Sequence, residues 1–382
     1  MKRTGLVLLL ALLGTGCSDS KTEAAIAPEA AEDNVVKAMG LWITDVSGNV
    51  MPDPQTSGLT AVGQTLYTLS DGSAAEHMQR KLHAIDTASA VYQSDDTAFA
   101  MASRVRRSCF SGYLQDEPDL EALVVDPQNP DVFYTVTEDA TRTGALSMRC
   151  QSRFENTGST DYPTLLVRLE RQQSGNMMMT HVRPVQFPLA YEVGDFPNDG
   201  IEGMALADDR TLYLGLEKDA AGQPRIFSLT LSDDFWASDD FAVVTDTRLP
   251  LPRFSSGNHP VNGLTWYRDP ASQRAFLLSA ARNDNELWVT PVDGAHDTVR
   301  VPMQFLAPTK DTSGQCDTYE VMDNASIEGL VVIDNTLWLI NDPWKKNYLK
   351  NIQCESARSA YEQMAPLLFS VDMDKRWFTP AL

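Results

Sequence analysis

Five segments of the chain repeat one pattern of polar and apolar positions. Each begins with a small or polar residue, continues with an apolar run, passes through a turn, and ends with a second apolar run that contains an aromatic residue. Sequences such as DPQNP, ADD and RDPAS separate the two runs, as the turn of a β-hairpin requires. The five segments begin at Ser57, Glu121, Glu202, Asn262 and Glu328. The pattern therefore predicts five hairpins.

Further strand-like segments follow each hairpin. The predicted third strands are KLHAID, TLLVRLE, RIFSLTL, NELWVTPV and PLLFSVDM, and the predicted fourth strands include HVRPVQFPLA, FAVVTDTRLPL and DTVRVPMQFL. No long stretch shows helical periodicity that competes with these strands. Four antiparallel strands repeated around an axis form a β-propeller, so the sequence predicts an all-β propeller of four-stranded antiparallel blades.

The number of blades follows from the spacing of the repeats. Residues 36–382 would give about 69 residues per blade for five blades and about 58 for six. The hairpins begin 60 to 81 residues apart, which favours five blades, with six as the alternative. A strand from Met39, MGLWITDVSG, stands unpaired before the first hairpin. We expect it to close the ring as the outer strand of the fifth blade.

The first residues of the five hairpins form a candidate metal site. The innermost strand of each blade lines the axial channel, so equivalent residues should converge there. We call this set the inner ring: Ser57, Glu121, Glu202, Asn262 and Glu328. Three facing carboxylates repel one another, and calcium, which binds six to eight oxygen atoms, would relieve the repulsion. Without His or Cys in the set, calcium is favoured over zinc or copper. Alternatively, these side chains cap backbone amides and hold water.

A second acidic ring is predicted at the ends of the second strands. Alignment of the aromatic-containing runs places Ala281 at the same position as four acidic residues: Asp71, Glu138, Glu217 and Asp342. Strand direction puts these residues at the same end of the channel as the inner ring. Formation of turns by SDG, TED and NDP is the alternative explanation.

Four cysteines are placed in pairs by the same alignment. Cys109 and Cys316 each lie 12 residues before a hairpin that begins with glutamate, and Cys150 and Cys354 follow the second strands of those hairpins. We therefore predict the disulfides Cys109–Cys150 and Cys316–Cys354, with a structural role.

The N-terminus has the pattern of an export signal. Residues 1–16 form a predicted signal peptide, and Cys17 resembles the lipidated cysteine of bacterial lipoproteins. Ser18 after that cysteine indicates the outer membrane of the cell envelope. Residues 17–35 are polar, alanine-rich and acidic, and predict a disordered tether before a single domain, residues 36–382. An ordinary secretory signal is the alternative.

The charge of the chain excludes one class of partner. A formal net charge of -21 repels phosphate backbones and anionic headgroups. We therefore expect no nucleic-acid binding, and membrane attachment only through the lipid at Cys17.

The repeated motifs also carry a family resemblance. SGLT…LYTLSD, LEAL…FYTVTED and IEGM…LYLGLEKD resemble propeller proteins of the phytase-like group with esterase-like activity. The inner ring is similar to the central calcium site of five-bladed calcium-activated nucleotidases, the apyrase group. The resemblance implies that the five inner-ring residues face a metal. Asn262 departs from a strict reading of the pattern and would weaken the site.

The resemblance implies calcium-dependent hydrolysis of a small phosphorylated or ester substrate. Candidate catalytic residues at the same face are Arg142, Lys218, Arg282 and His259, with Lys345 and Lys346 nearby. His259 is the candidate acid or base, whereas the basic residues would balance the charge of a phosphate. The alternative is that all of them are exposed surface groups.

Two other functions compete with a phosphoesterase. One is a non-catalytic envelope propeller that binds another protein or a glycan, with calcium in a structural role. The other is a calcium-dependent lactonase or esterase that uses the same ring. Trp266, Trp344 and Arg282 near the channel mouth leave both open.

Overall fold

The computed structural model describes residues 34–138, 147–154, 164–194 and 200–379. The predicted signal peptide, Cys17, nearly all of the predicted tether and the candidate residue Arg142 lie outside these residues. Val35–Leu382 form one compact unit. No helix in the described part of the chain combines the length and apolar character needed to cross a membrane.

Strands are the main regular structure of the described residues. In chain order they are β1 (Val36–Trp42), β2 (Thr56–Val62), β3 (Thr65–Ser70), β4 (Leu82–Asp86), β5 (Tyr92–Ser94), β6 (Ala100–Met101), β7 (Leu120–Asp126), β8 (Asn129–Thr137), β9 (Leu165–Arg171), β10 (Met177–Gln186), β11 (Ile201–Leu206), β12 (Thr211–Leu216), β13 (Arg225–Thr230), β14 (Ala242–Val243), β15 (Thr245–Asp246), β16 (Gly263–Arg268), β17 (Ala275–Ala281), β18 (Glu286–Pro291), β19 (Val299–Pro308), β20 (Tyr319–Met322), β21 (Ile327–Ile333), β22 (Thr336–Asn341) and β23 (Leu367–Asp372).

Helices in the described residues are short and lie between strands. The α-helices are α1 (Ser103–Arg106), α2 (Ser111–Gln115), α3 (Met148–Phe154) and α4 (Arg358–Glu362). The 3-10 helices are Leu189–Tyr191, Phe235–Ala237, Arg282–Asp284, Tyr348–Asn351, Glu355–Ala357 and Lys375–Phe378.

The predicted hairpins and third strands are confirmed. The pairs β2–β3, β7–β8, β11–β12, β16–β17 and β21–β22 are antiparallel. Each second strand then pairs antiparallel with β4, β9, β13, β18 or β23, respectively. The chain is therefore an all-β protein, and its sheets are consistent with a β-propeller.

Twenty of the 23 strands in the described residues form five groups of four around a common centre, whereas β6 and β14 pair with β10 and β20 pairs with β19. In chain order the groups are β2–β5, β7–β10, β11–β13 with β15, β16–β19, and β21–β23 with β1. The first strands β2, β7, β11, β16 and β21 contact one another in cyclic order. Apolar core clusters lie between neighbouring groups. One of them joins Leu69 to Phe133, and another joins Leu59 to Ile340, so the last group packs against the first.

The N-terminal strand closes the ring as predicted. β1 pairs antiparallel with β23 through Met39–Ser370 and the following residues. Its other edge pairs in parallel with β19, from Val36 opposite Met303, and this joins the fourth and fifth groups into one sheet. Trp42 adds a hydrogen bond of 2.9 Å from its indole nitrogen to the carbonyl oxygen of Pro308.

One predicted strand is wrong. The segment FAVVTDTRLPL was expected to form a single fourth strand, but it forms two strands of two residues each. β14 pairs with β10 of the preceding group, whereas β15 pairs with β13 of its own group. The segment therefore crosses from one sheet to the next, which its apolar pattern does not indicate.

Both predicted disulfides are present. Cys109 is bonded to Cys150, and Cys316 to Cys354, with Cα–Cα distances of 5.6 and 6.0 Å. The first disulfide connects the segment that leads into β7 with helix α3, which follows β8. Both bonds therefore restrain loops at the end of the strands where the inner ring lies.

The first strands approach one another at glycines. A methyl group on Gly58 would overlap the backbone nitrogen of Leu123 in β7, and one on Gly329 would lie 2.7 Å from the carbonyl carbon of Gly58. Gly58 also has φ +69°, a conformation that disfavours any other residue. These backbone contacts between first strands therefore set the width of the channel.

Replacing Gly58 by alanine should destabilise the fold more than the same change at Gly48. Both glycines have positive φ, but nothing lies within 4 Å of a Cβ at Gly48. We expect G48A to lower the free energy of unfolding by about 1–2 kcal/mol, from backbone strain alone. G58A should lose about 1–3 kcal/mol more, because the strands must separate. Urea unfolding of both variants checks this, and equal losses would contradict the close approach.

Candidate functional site

Three glutamates of the inner ring occupy β-bulges. In β7 the pairing with β8 runs from Leu120 to Ala122 and skips Glu121. The pairing skips Glu202 in β11 and Glu328 in β21 in the same way. A bulge leaves its extra residue out of the ladder and re-aims the side chain. The bulge therefore leaves each of these three glutamates outside the strand ladder, at the equivalent position of its first strand.

The inner-ring side chains converge as predicted. Carboxylate oxygens of Glu121, Glu202 and Glu328 lie within 4.8 Å of one another. The hydroxyl of Ser57 donates to Glu121 at 3.2 Å and lies 3.5 Å from Glu328. The amide of Asn262 donates to Glu202 at 3.2 Å. All five residues are buried.

Apolar side chains form the floor of this site. The residue two positions after each inner-ring residue is large, apolar and buried, and we call these five residues the apolar floor: Leu59, Leu123, Met204, Leu264 and Leu330. Together with the adjoining glycines they leave a cavity of about 10 Å³, the space of roughly one water molecule. Hydrocarbon side chains therefore border the inner ring on one side.

The second acidic ring lies where it was predicted, one residue after the second strands. The backbone nitrogen of Asp71 donates to the carbonyl oxygen of Gln55, and the equivalent bond at Asp342 goes to Ser326. Glu138 and Glu217 make the corresponding bonds. Carboxylate oxygens of both rings lie within 4.8 Å in the group Glu138, Glu202 and Glu217. The two rings are therefore one continuous acidic cluster, which we call the channel mouth.

Burial raises the pKa of the inner-ring carboxyl groups. It raises the pKa of Glu202 to about 7, and the charge of Arg282 only partly opposes this. The pKa of Glu328 rises to about 8 for the same reason, with Glu202 adding repulsion against the effect of Arg282. The low dielectric of the apolar floor contributes to this burial.

The pKa values of three further carboxyl groups at the channel mouth are also raised. Burial, followed by the charge of Asp119, raises the pKa of Asp71 to about 7. The pKa values of Glu121 and Asp342 rise well above the ordinary range, first through burial and then through neighbouring carboxylates. Fully ionised, the carboxyl groups of the mouth would carry more negative charge than its positive groups balance, so the raised pKa values indicate that some of them hold protons near neutral pH.

Arg282 is the positive group inside this cluster. Its guanidinium forms an ion pair with Glu328, and its side chain is 20% exposed. Burial alone would lower the pKa of Arg282, but Glu328, Glu202 and other carboxylates raise it. The residue follows Ala281, the position that aligns with the second acidic ring. It acts here as a counter-ion, a role the sequence did not predict, whereas its contact with a ligand stays a prediction.

Some buried oxygen atoms at the mouth lack a hydrogen-bond partner among the described residues. Oδ1 of Asn262 and Oδ1 of Asp342 are two of them. A buried acceptor without a donor costs about 1–3 kcal/mol. Three carboxylate oxygens within 4.8 Å can all lie about 2.3–2.6 Å from one ion, or slightly more, and these orphaned acceptors could join it. The donor set is oxygen only, which suits calcium.

His259 lies in a different environment from the one expected for a general base. Its Nδ1 lies 2.9 Å from a carboxylate oxygen of Asp284, and its Nε2 lies 2.9 Å from the carbonyl oxygen of Ser256. Phe254 stacks on the ring at 3.5 Å. Both nitrogens face acceptor oxygens and are engaged in contacts of the loop itself. This geometry favours a role in holding the loop over proton abstraction.

Asn258, the residue before His259, connects the loop SSGNHP to the channel mouth. The side chain of Asn258 donates to Glu217 at 2.8 Å, and Asn283 donates to the carbonyl oxygen of Asn258 at 3.0 Å. The loop SSGNHP is therefore fastened to the second acidic ring through Asn258.

The remaining basic candidates lie at the rim. Lys218 is half-buried directly after Glu217. Lys345 pairs with Asp53 at 3.0 Å, and Lys346 lies 5.5 Å from the ring of Trp344.

Trp344 lies near the mouth, whereas Trp266 does not. The indole of Trp344 is 40% exposed and lies 6.0 Å from the guanidinium of Arg282. Trp266 is in the middle of β16 and packs against the core around Leu264 and Leu277. The expectation that both tryptophans border the mouth is therefore wrong for Trp266, because three residues of β16 separate it from Asn262.

Some members of the site were missed from the sequence. Asp119 joins Glu121 and Glu138, with carboxylate oxygens within 4.8 Å. An acidic residue two positions before the glutamate, as in DLEAL, was a signal for it. Asn258 had no sequence signal beyond its position next to His259.

Comparisons with known proteins support no specific family. No protein-family model matches the chain, and no curated protein sequence matches it. Among solved structures, the chain is similar to a candidate exo-β-1,3-galactanase from Bifidobacterium bifidum, with a TM-score of 0.47 and 12% identity over 89% of this chain and 94% of that one.

Two further solved structures show a weaker similarity. A glycosyl hydrolase from Bacteroides ovatus has a TM-score of 0.40 and 11% identity, over 90% of this chain and 92% of that one. The allergen Mala s 1 of Malassezia sympodialis has a TM-score of 0.39 and 8% identity, over 84% and 94%. The propeller-like architecture therefore rests on the strand pairing described above.

Stability of the metal-free protein should fall as pH rises. The folded-state pKa values of Glu202, Glu328 and Asp71 lie at about 7 to 8, above the 3.8 to 4.5 of the free side chains. Between these limits the folded state binds more protons, so the free energy of unfolding decreases with pH. We expect a loss of about 3 kcal/mol or more between pH 5 and 8 in urea unfolding.

The matched variants are E202Q and D372N. Glutamine stays neutral at every pH, so E202Q should flatten the dependence, whereas the exposed Asp372 should have no effect on it. A free energy of unfolding that stays constant or rises over this range would contradict the assignment of buried, protonated carboxyl groups.

Proposed function

We propose that this chain is a five-bladed β-propeller whose channel mouth binds calcium and hydrolyses small phosphate esters. The observation that carries the proposal is the convergence of Glu121, Glu202 and Glu328 beside the unpartnered oxygen of Asn262. The resemblance to phytase-like and apyrase-like propellers supplies the substrate class.

The five-blade count is supported by the cyclic contacts of the first strands. Each strand group begins with a strand that contains or directly follows an inner-ring residue. Five core clusters occur among the described residues, and each spans two groups that are neighbours in the cycle. A sixth blade would need a further first strand between two of these neighbours.

Charge balance favours a bound cation. The carboxyl groups gathered at the mouth are those of Asp71, Asp119, Glu121, Glu138, Glu202, Glu217, Glu328 and Asp342. Arg282 offsets one charge through Glu328, and Lys345 is engaged by Asp53. The rest must take up protons or be balanced by a cation from solution.

Calcium would be held by the inner ring. Glu121, Glu202 and Glu328 would supply carboxylate oxygens, with Ser57 and Asn262 at the sides. When bound, calcium would neutralise phosphate oxygens and polarise a water molecule. The second acidic ring would keep the ion at the mouth and raise its local concentration.

The chain's own residues favour an anionic substrate. Arg282 lies between Glu328 and the indole of Trp344, so its guanidinium can contact a group that enters the mouth. Lys346 lies on the same indole. These two cations would orient a phosphate group, whereas the apolar floor excludes water from the opposite side. A carboxyl ester or lactone has no phosphate charge, so Arg282 and Lys346 would contribute less to its binding.

A non-catalytic calcium propeller is the second candidate function. The ion pair of Arg282 with Glu328 and the engagement of both nitrogens of His259 favour it, because they occupy one carboxylate of the inner ring and the histidine predicted as acid or base. The mouth would then be a binding surface for an envelope protein or a glycan.

Calcium titration of the metal-free protein tests the site. We expect saturable binding by calorimetry and a rise in melting temperature. E202Q should weaken binding by about 10–100-fold or more, since loss of a supporting contact alone has such effects. R282Q should bind at least as tightly as wild type, because a competing cation is removed. D372N, at an exposed position, is the control.

Hydrolysis assays on the same proteins separate the two candidate functions. Calcium-dependent release of phosphate from p-nitrophenyl phosphate or a nucleoside diphosphate, lost in E202Q, supports the enzyme. Cleavage of p-nitrophenyl acetate alone supports an esterase. Calcium binding with every ester intact supports the non-catalytic propeller, and an unchanged melting temperature with calcium would contradict the metal site.

We also propose that the protein is anchored in the bacterial envelope through a lipid on Cys17. The signal-like residues 1–16 and the polar tether support this, and the high negative charge leaves few other means of membrane attachment. Replacing Cys17 by serine should release the protein from the membrane fraction, as followed by fractionation and immunoblotting. Equal membrane association of both proteins would contradict the anchor.

A further inference from the structure

Arginines are concentrated in one part of this acidic chain. The segments 102–115 and 147–154 are joined by the disulfide Cys109–Cys150. They contain no acidic residue, although the chain has a net charge of -21, and they carry five arginines: Arg104, Arg106, Arg107, Arg149 and Arg153. Like charges this close repel one another, and the disulfide holds them together. Such an arrangement calls for a negative partner.

A cavity lies between these two segments. It has a volume of about 390 Å³, within the range of small-molecule sites. Arg107, Arg149 and Arg153 line it, together with the disulfide. We call it the arginine pocket. Arg149 and Arg153 are four residues apart on α3, so both project from the same face of that helix.

The floor of the pocket is apolar. Phe110, Phe154 and Val182 line it, and the rings of Phe110 and Phe154 lie 5.0 Å apart. All three side chains are buried. Arg107 and Arg149 are themselves exposed. The pocket therefore offers an anion two accessible guanidinium groups beside an apolar wall.

One of the three arginines is held by acidic partners, and two are not. Arg153 donates to Asp239 at 2.7 and 3.2 Å and to Asp240 at 2.7 Å. Among the described residues, Arg107 and Arg149 have no ion-pair partner within 4.0 Å. Asp239 is the acidic residue that lines the pocket, so the lining has an excess of positive charge.

We propose that the arginine pocket binds the phosphate group of a small anionic ligand. The guanidinium groups of Arg107 and Arg149 would bind its oxygens in the bidentate manner that suits phosphate. The hydroxyls of Ser108 and Ser147, which also line the pocket, would add hydrogen bonds. Neither the channel mouth nor calcium takes part, so this site is independent of the proposed hydrolase function.

The experiment uses metal-free protein, from which the chelator has been removed because it is itself an anion. Binding is measured by calorimetry with three probes: inorganic phosphate, glucose 6-phosphate, and phosphatidylcholine vesicles that contain phosphatidylglycerol. The variants are R107Q, R149Q and the double variant. R106Q is the matched control, because Arg106 is exposed and adjacent to Arg107 but does not line the pocket. Circular dichroism and melting temperature verify the fold of each variant.

We expect saturable binding that the double variant weakens by about tenfold or more, whereas R106Q changes it by less than about twofold. Binding of either soluble phosphate supports a small-molecule ligand, and binding of vesicles alone assigns the phosphate to a lipid headgroup. The proposal is overturned if no probe binds saturably. It is also overturned if R106Q and R107Q reduce binding equally, because the effect would then come from general charge.

Discussion

The close approach of the first strands is the constraint on which the site depends. Gly58 and Gly329 leave no room for a side chain against the neighbouring strand, so the channel is narrow at this level. Because the channel is narrow, the side chains of the residues that directly precede these glycines, among them Glu328, lie within a few ångströms of one another. The carboxylates are thus forced together by backbone packing, although their charges oppose it. The fold stabilises an arrangement that electrostatics alone would not form.

The apolar floor and the bulges determine how the negative charge of the inner-ring carboxylates can be balanced. Leu123 and Leu330 border the channel beside the glutamates, where the remaining cavity has the space of roughly one water molecule, so little water can solvate the carboxylates from that side. The bulges at Glu121 and Glu328 free the side chains from their ladders while the backbone pairing continues around them. Protons, Arg282 or a metal ion must then balance the charge.

The sequence predicted the parts of this structure that repeat. Hairpins with a polar first residue recur five times, so their alignment located the inner ring, the second acidic ring and both disulfides. Features that occur once could not be found in this way. The counter-ion role of Arg282 requires knowledge of which side chains enter the mouth, and the contact of Asn258 with Glu217 depends on a loop without periodicity. Bulges also leave no pattern in the sequence, because they change pairing and not composition.

Charges of opposite sign are separated within a short distance along the chain. The arginines of 102–115 come just before Asp119 and Glu121, and the hydroxyl of Tyr113 in α2 accepts a hydrogen bond from the backbone nitrogen of Asp119 at 3.0 Å. Free arginines would be expected to collapse onto so acidic a mouth. The disulfide from Cys109 to Cys150 joins the two basic segments, and Asp239 and Asp240 bind Arg153. Among the described residues, none of the five arginines of these segments forms an ion pair with a carboxylate of the mouth, so the acidic cluster and the arginine pocket remain separate features of the chain.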